Sequence, residues 1–311
     1  MKSRVTLIGC ALVVLGAPEA RSQSVAQNVG REAKAVAGIV GNDVKHAAQD
    51  FAAIWTSPLR GSGKDYLIVA SVLGAAALVS PLDDEADRWA IENQDKGFLK
   101  SIKPFRRGGT FYSINELTPY VAGLYVVGVA TKHEGIRDGI FGCVAAYGAN
   151  TTIRHQVVYR LIGRDRPEPI KNPTDLNRTP PAQHGDQYDF RVPSEGWGDH
   201  SFPGGHIATM TTCASFLSHR FEMGLVEPVL AGLVGVMGIG RIADRGHWVS
   251  DQIVGAAFGF AIGREVARRQ LKRKAKREAA EVEEAAAPGV TSAPFIGTDA
   301  NGTRVGWQVT F

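Results

Sequence analysis

Six stretches of this chain are apolar, rich in Ala, Gly, Val and Leu, and of helical length: Leu67 to Ser80, Tyr120 to Ala130, Gly139 to Val158, Ile207 to Leu217, Leu225 to Gly240 and Trp248 to Ile262. Such runs bury their surface by packing against one another as helices, so the expected fold is all-α, a helical bundle. Most of them fall short of the ~20 apolar residues that a simple membrane span needs, and Glu227, Asp251 and Gln252 interrupt them. That favours a water-soluble core of Gly/Ala-packed helices. Close-packed membrane helices use the same small residues, so the choice between a soluble and a membrane-embedded bundle stays open.

The two ends of the chain read differently. Lys2 and Arg4 precede an apolar run from Val5 to Ala17, and Ala20 and Ser22 offer small residues for cleavage. This is the pattern of an export signal, with the mature chain beginning near Gln23 and destined for the periplasm or cell envelope. Cys10 lies too early in the apolar run for lipid attachment. Val25 to Ile54 reads as a surface helix ending at Ser57-Pro58. The division that follows is a signal over 1–22, a helical extension over 23–64, a main helical domain over 65–277, and a linker with a C-terminal tail over 278–311. Within that tail, Ala285 to Ala293 has linker composition, and Arg304 to Phe311 alternates as an edge strand does, a short β segment on an otherwise helical chain.

The formal charge is +4, and the basic residues crowd between Arg264 and Arg277. No aromatic residues interleave with them as in nucleic-acid-binding surfaces, so a solvated helix face explains the run and no nucleic-acid partner is expected. Cys143 and Cys213 fall in apolar helical stretches, where small buried hydrophobes are usual. An oxidising compartment would permit them to pair, but sequence does not show proximity.

Three clusters carry chemistry. Arg164 and Arg166 emerge where a helix from Thr151 to Leu161 stops at Gly163, with Pro167 ending the register. Arginine forks hold phosphate-like oxyanions through paired hydrogen bonds, although a cation there also suits a helix C-terminus. In the second cluster, Pro203-Gly204-Gly205-His206 precedes a helix, so its glycines and free amide groups can approach an anion. In the third, Arg241 is followed by Gly246-His247 and, four residues on, by Asp251. If a helix runs from His247, Asp251 faces the same side and orients the imidazole directly or through an adjacent group. A histidine held in one tautomer is a competent nucleophile, and a second histidine is a general acid. His184, Asp186 and His200 lie nearby at irregular spacing, and no metal site is expected from them.

Taken in order and spacing, these clusters resemble the phosphatidic acid phosphatase type 2 superfamily, which includes bacterial acid phosphatases, lipid phosphatases and vanadium haloperoxidases. The resemblance covers about Tyr159 to Asp251. The family's Lys, six residues, Arg-Pro falls on Arg166-Pro167; its Pro-Ser-Gly-His on Pro203, Gly205 and His206; its Ser-Arg, five residues, His, three residues, Asp on Arg241, His247 and Asp251. The resemblance implies that Arg166 and Arg241, with Gly204 and Gly205, bind the phosphoryl oxygens. It makes His206 the acid toward the leaving group, His247 the nucleophile and Asp251 its orienting carboxylate. It implies a metal-independent phosphatase working through a phosphohistidine on soluble monoesters or lipid phosphates, without a cofactor and with vanadate as an inhibitor.

The chain departs from that pattern at three positions: Tyr159 stands at the lysine, Gly204 at the serine of the second motif, and Gly240 at the serine of the third. Arg160 adjoins the missing lysine but points about 100° away on a helix; with Tyr159 and Arg164 it forms an accessory set. Loss of a cation and a hydroxyl slows such an enzyme, and Gly204→Ser is expected to leave activity unchanged or raise it if the backbone tolerates a side chain. A vanadate-dependent haloperoxidase, with vanadate as cofactor, and a catalytically weakened anion-binding envelope protein are the competing readings.

Overall fold

The computed structural model describes residues 19–102, 114–168, 185–194, 199–286, 291–299 and 302–310. The expected signal lies mostly outside them, as do His184 and most of the Pro-rich loop after Pro167. The helices are α1 (Glu19–Trp55), α2 (Gly63–Val79), α3 (Asp83–Asn93), α4 (Gly97–Ser101), α5 (Ile114–Ala130), α6 (Glu134–Ile153), α7 (Gly205–Phe221), α8 (Val226–Ala243) and α9 (Val249–Ala286). The all-α class is confirmed, and a helix covers most of each of the six apolar runs.

Local chemistry sets the boundaries. α1 ends just before a 3₁₀ turn at Ser57–Arg60, where Pro58 occupies the first turn. α2 opens on a capping box, in which Ser62 and Asp65 satisfy one another's backbone amides. α6 does not run evenly to Leu161: it passes through a π turn at Arg154–Val158 before a last α turn at Tyr159–Leu161. The C-terminal segment is more than one edge strand. β3 (Thr291–Asp299) pairs antiparallel with β4 (Gly302–Thr310), so the expected linker is strand from Thr291, and α9 continues to Ala286. A second, two-residue ladder joins β1 (Gly163–Arg164) to β2 (Phe190–Arg191).

The core joins α1, α6, α7 and α9 through Ile54, Ala146, Ala149, Phe216, Ile262, Val266 and Ala267. Cys143 on α6 and Cys213 on α7 form a disulfide, with Cα atoms 5.0 Å apart. The closest helix contact is between α7 and α9, and its cause is a glycine stripe. A Cβ at Gly255 would lie 2.4 Å from the Gly204 carbonyl oxygen, and at Gly259 and Gly263 it would lie 2.1 Å from those of Ala208 and Thr212. Glycine every fourth residue on α9 thus faces every fourth residue on α7, and the two backbones touch.

The expectation of an inward-facing core holds for α6, α7 and α9 and fails for α2. Leu67, Ile68, Val69, Leu73 and Leu78 are exposed, and Ala76 is α2's buried residue. Exposed apolar residues also line α5 and α8, among them Leu124, Val126, Val229 and Leu233. Among the described residues, two helical stretches, Gly63–Asn93 and Val226–Ala243, are long and apolar enough to cross a membrane. Both run toward the same end of the bundle as the histidines: α3 follows α2 there with buried Asp83 and Asp87, and α8 ends beside Arg241.

Candidate active site

His206 opens α7 and His247 lies two residues before α9, so the glycine-stripe contact brings their rings together. His206 Nδ1 is 3.4 Å from His247 Nε2. The other nitrogen of His247 donates to the Ser201 carbonyl at 2.7 Å, which leaves Nε2 as the unprotonated, nucleophilic position of a neutral ring. His247 is buried. Burial, and then the charge of Arg166, hold its pKa well below the usual imidazole range; burial followed by Arg241, Arg166 and Arg154 does the same to His206.

Asp251 does not meet His247 as a helical i,i+4 pair, because α9 begins at Val249 and His247 lies outside it. Its Oδ2 accepts from the Ser201 hydroxyl at 2.5 Å and from the Trp248 amide at 3.2 Å, while Oδ1 accepts from Arg164 at 2.6 Å. Orientation therefore passes through Ser201, whose hydroxyl is held by Asp251 and whose carbonyl holds the imidazole.

The two arginines assigned to phosphoryl oxygens flank the histidines. Arg166 is buried and donates to the carbonyls of Gly246 at 2.8 Å and His200 at 3.0 Å. Burial lowers it to about 10, which leaves it cationic at neutral pH. Arg241, in the last turn of α8, lies 3.6 Å from Asp244 and packs its guanidinium on Gly246, where a Cβ would stand 2.4 Å from Nη2.

The accessory set does not behave as a unit. Arg160 is exposed, as its 100° offset dictates, and does not supply the missing charge. Arg164 is a clamp rather than a phosphate ligand: it binds Asp83 at 2.8 Å, Asp251 at 2.6 Å, the Ser250 hydroxyl at 2.8 Å and the Gln187 carbonyl at 2.7 Å. Tyr159 is buried, stacks on His200 at 4.5 Å and lies against Gly205. Gly204 is a packing glycine. A Cβ there would meet the Asp251 carbonyl oxygen at 3.0 Å, and its amide donates to that same oxygen at 3.0 Å. The condition attached to serine at 204, that the backbone tolerate a side chain, therefore requires the Asp251 carbonyl to give by a few tenths of an ångström.

Sequence reasoning missed the long-range members. Asp83 accepts from Arg164 and from the Ser250 amide and hydroxyl, the latter at 2.9 and 2.5 Å. Asp87, one turn on, takes Arg245 through two bonds of 2.7 and 2.9 Å, and Arg245 also reaches the Pro167 carbonyl. Ser201 and Arg154 were missed as well; Arg154 donates to the Gly205 carbonyl.

Residues 140–275 match the model of the PAP2 superfamily, and the resemblance drawn from the three motifs is borne out over that segment. Over 82 residues the chain is 37% identical to the Lipid A 1-phosphatase of Porphyromonas gingivalis, a stretch covering 25% of this chain and 18% of that protein. No solved structure matches the chain.

Proposed function

We propose that the protein is a phosphatase of the cell envelope that hydrolyses phosphate monoesters of lipids through a phosphohistidine on His247. The observation that carries this reading is the facing pair His206 Nδ1 and His247 Nε2, with the far nitrogen of His247 tied to a carbonyl. One ring is thereby a base-free nucleophile and the other a proton carrier at the leaving-group side. The family match over 140–275 and the Lipid A 1-phosphatase similarity support the reaction and the lipid substrate class.

In the proposed reaction the phosphoryl group enters by displacing the His–His contact, its oxygens held by Arg166, Arg241 and the amides at the start of α7. The His247 Nε2 lone pair attacks phosphorus, the P–O ester bond breaks, and imidazolium His206 gives its proton to the departing alkoxide. Water then attacks the phosphohistidine while neutral His206 takes its proton, releasing phosphate and free His247. Cations and helix-end amides stabilise a transition state in which charge spreads over the equatorial oxygens. No step calls on a metal.

The membrane reading rests on α2 and α8. Their exposed apolar faces run toward the end of the bundle where Asp83, Arg241 and the histidines lie. Seated in a bilayer, they hold the site at its surface, where a lipid headgroup carries its phosphate. The Cys143–Cys213 disulfide suits an exported protein. Phosphate release from a lipid phosphate and from a soluble aryl phosphate, measured with and without detergent and after exhaustive chelation, tests the proposal. Release that survives chelation and is inhibited by vanadate supports it; activity lost on chelation and restored by one divalent metal removes the mechanism.

A further inference from the structure

Three of the buried arginines in this protein are paired with carboxylates. Arg164 meets Asp83 and Asp251, Arg220 meets Asp138, and Arg245 meets Asp87. Arg154 is buried to the same degree, at 6% exposure, yet among the described residues no carboxylate pairs with it. Its Nη1 donates to the Gly205 carbonyl and, at 3.3 Å, to Thr209, and its Nε is buried without an acceptor among the described residues. A desolvated cation held by neutral oxygens is costly unless an anion completes it.

The π turn explains how Arg154 reaches this place. The Tyr159 amide donates to the Arg154 carbonyl five residues back, a spacing that returns both side chains to one face. Arg154 lies over the Tyr159 ring at 5.6 Å, and both converge on Gly205, where a Cβ would stand 2.5 Å from the tyrosine hydroxyl and 3.0 Å from Arg154 Nη1. On a regular helix these positions would diverge by about 140°. The turn brings a guanidinium to the residue preceding His206, beside the position where the family pattern has its lysine.

We propose that Arg154 is a third phosphoryl-binding cation of the site, supplying from one π turn upstream the charge missing at Tyr159. The proposal rests on the phosphatase reading for its ligand. Arg154 joins Arg166 and Arg241 in holding down the His206 pKa, so three cations act on one imidazole. A phosphate dianion completes that arrangement, and Arg154 adds its Nε edge to the oxygens.

The test uses the full chain with vanadate as the probe, its binding measured by calorimetry, alongside kcat/KM against pH. Arg154→Met is expected to weaken vanadate binding and lower kcat/KM by about 10²-fold. It is also expected to move the alkaline limb of the pH profile upward, because a positive charge near His206 is gone. Tyr159→Lys in that background is expected to restore vanadate binding to within about tenfold. Unchanged vanadate affinity and an unmoved pH limb in folded Arg154→Met overturn the proposal. If that variant does not fold, Arg154→Lys decides: at least fivefold weaker vanadate binding, from loss of the fork, supports it, and equal affinity overturns it. If wild type binds vanadate but cleaves no ester, the phosphatase reading falls while the affinity ratio still decides the role of Arg154. If wild type does not bind vanadate, both fall.

Discussion

The Ser201 hydroxyl donates to Asp251 Oδ2 at 2.5 Å, which makes a residue outside the three sequence motifs the link between the carboxylate and the His247 ring. Because the His247 Nδ1–H is received by the Ser201 backbone carbonyl, the tautomer is fixed by main chain, and the carboxylate acts on that main chain from behind.

This geometry separates two substitutions. Ser201→Ala keeps the carbonyl and should retain activity within about tenfold, with a stability loss of about 1–3 kcal/mol for the broken buried hydrogen bond. Asp251→Asn uncouples Arg164 as well and should cost about 3–5 kcal/mol, with a much larger fall in kcat. Denaturant unfolding and steady-state kinetics on both variants check the order; a milder Asp251→Asn would contradict it.

The roles of the two histidines separate by leaving group. His247→Ala should form no phosphoenzyme, read by acid-stable versus acid-labile label after rapid quench with a radiolabelled ester. His206→Ala should slow alkyl phosphates by about 10²–10⁴, the usual worth of a general acid, but aryl phosphates with good leaving groups far less. An equal loss on both substrates would remove His206 as the acid.

The pH dependence follows from the sign of the shifts. His206 and His247 are both held below the ordinary imidazole value, chiefly by burial and then by nearby arginines. A lowered pKa keeps His247 neutral and nucleophilic into mildly acidic solution, but it lets His206 carry its proton only at lower pH. The alkaline limb of kcat/KM should therefore fall below about pH 6.5, the free imidazole value. The limb of kcat should lie higher, because a bound phosphate stabilises the imidazolium. An alkaline limb of kcat/KM above pH 8 would sink this assignment.

Glycines on α9 and α8 should respond oppositely to alanine. Gly259→Ala pushes a methyl group to 2.1 Å from the Ala208 carbonyl oxygen and should destabilise by about 1–3 kcal/mol while separating the histidine-bearing helix ends. Gly232→Ala and Gly235→Ala on α8 meet nothing within 4 Å and should be neutral or stabilising by up to about 1 kcal/mol. Gly204→Ser, tight against Asp251, should lower activity. Thermal midpoints and turnover of the four variants check the contrast.

The helices and the convergence of His206, His247, Arg166 and Arg241 were legible because periodicity and motif spacing are local properties of the chain. What stayed hidden depends on partners far away in sequence. Asp83 begins α3 among Asp84 and Glu85, where the helix dipole alone accounts for acidic residues, and nothing local marks it as the partner of Arg164. Arg154 was invisible for a different reason: its direction depends on the π turn, and a regular helix points Arg160 and Arg154 elsewhere. Gly204 read as a lost serine because the facing stripe on α9 does not show in the motif itself.

Asp83 begins the helix immediately beyond α2, so the outward-facing apolar helix and the clamp behind His247 share one short piece of chain. The exposed apolar helix is thereby a tether on the site's alignment. Displacing α2 draws away one of the two anions on Arg164 and loosens Asp251 and Ser201, with Arg166, Arg241 and both histidines still in place. Catalytic competence then reports how well the protein is seated. Turnover on a soluble ester should rise when detergent or lipid is supplied to delipidated protein, and turnover indifferent to lipid would show that the tether is slack.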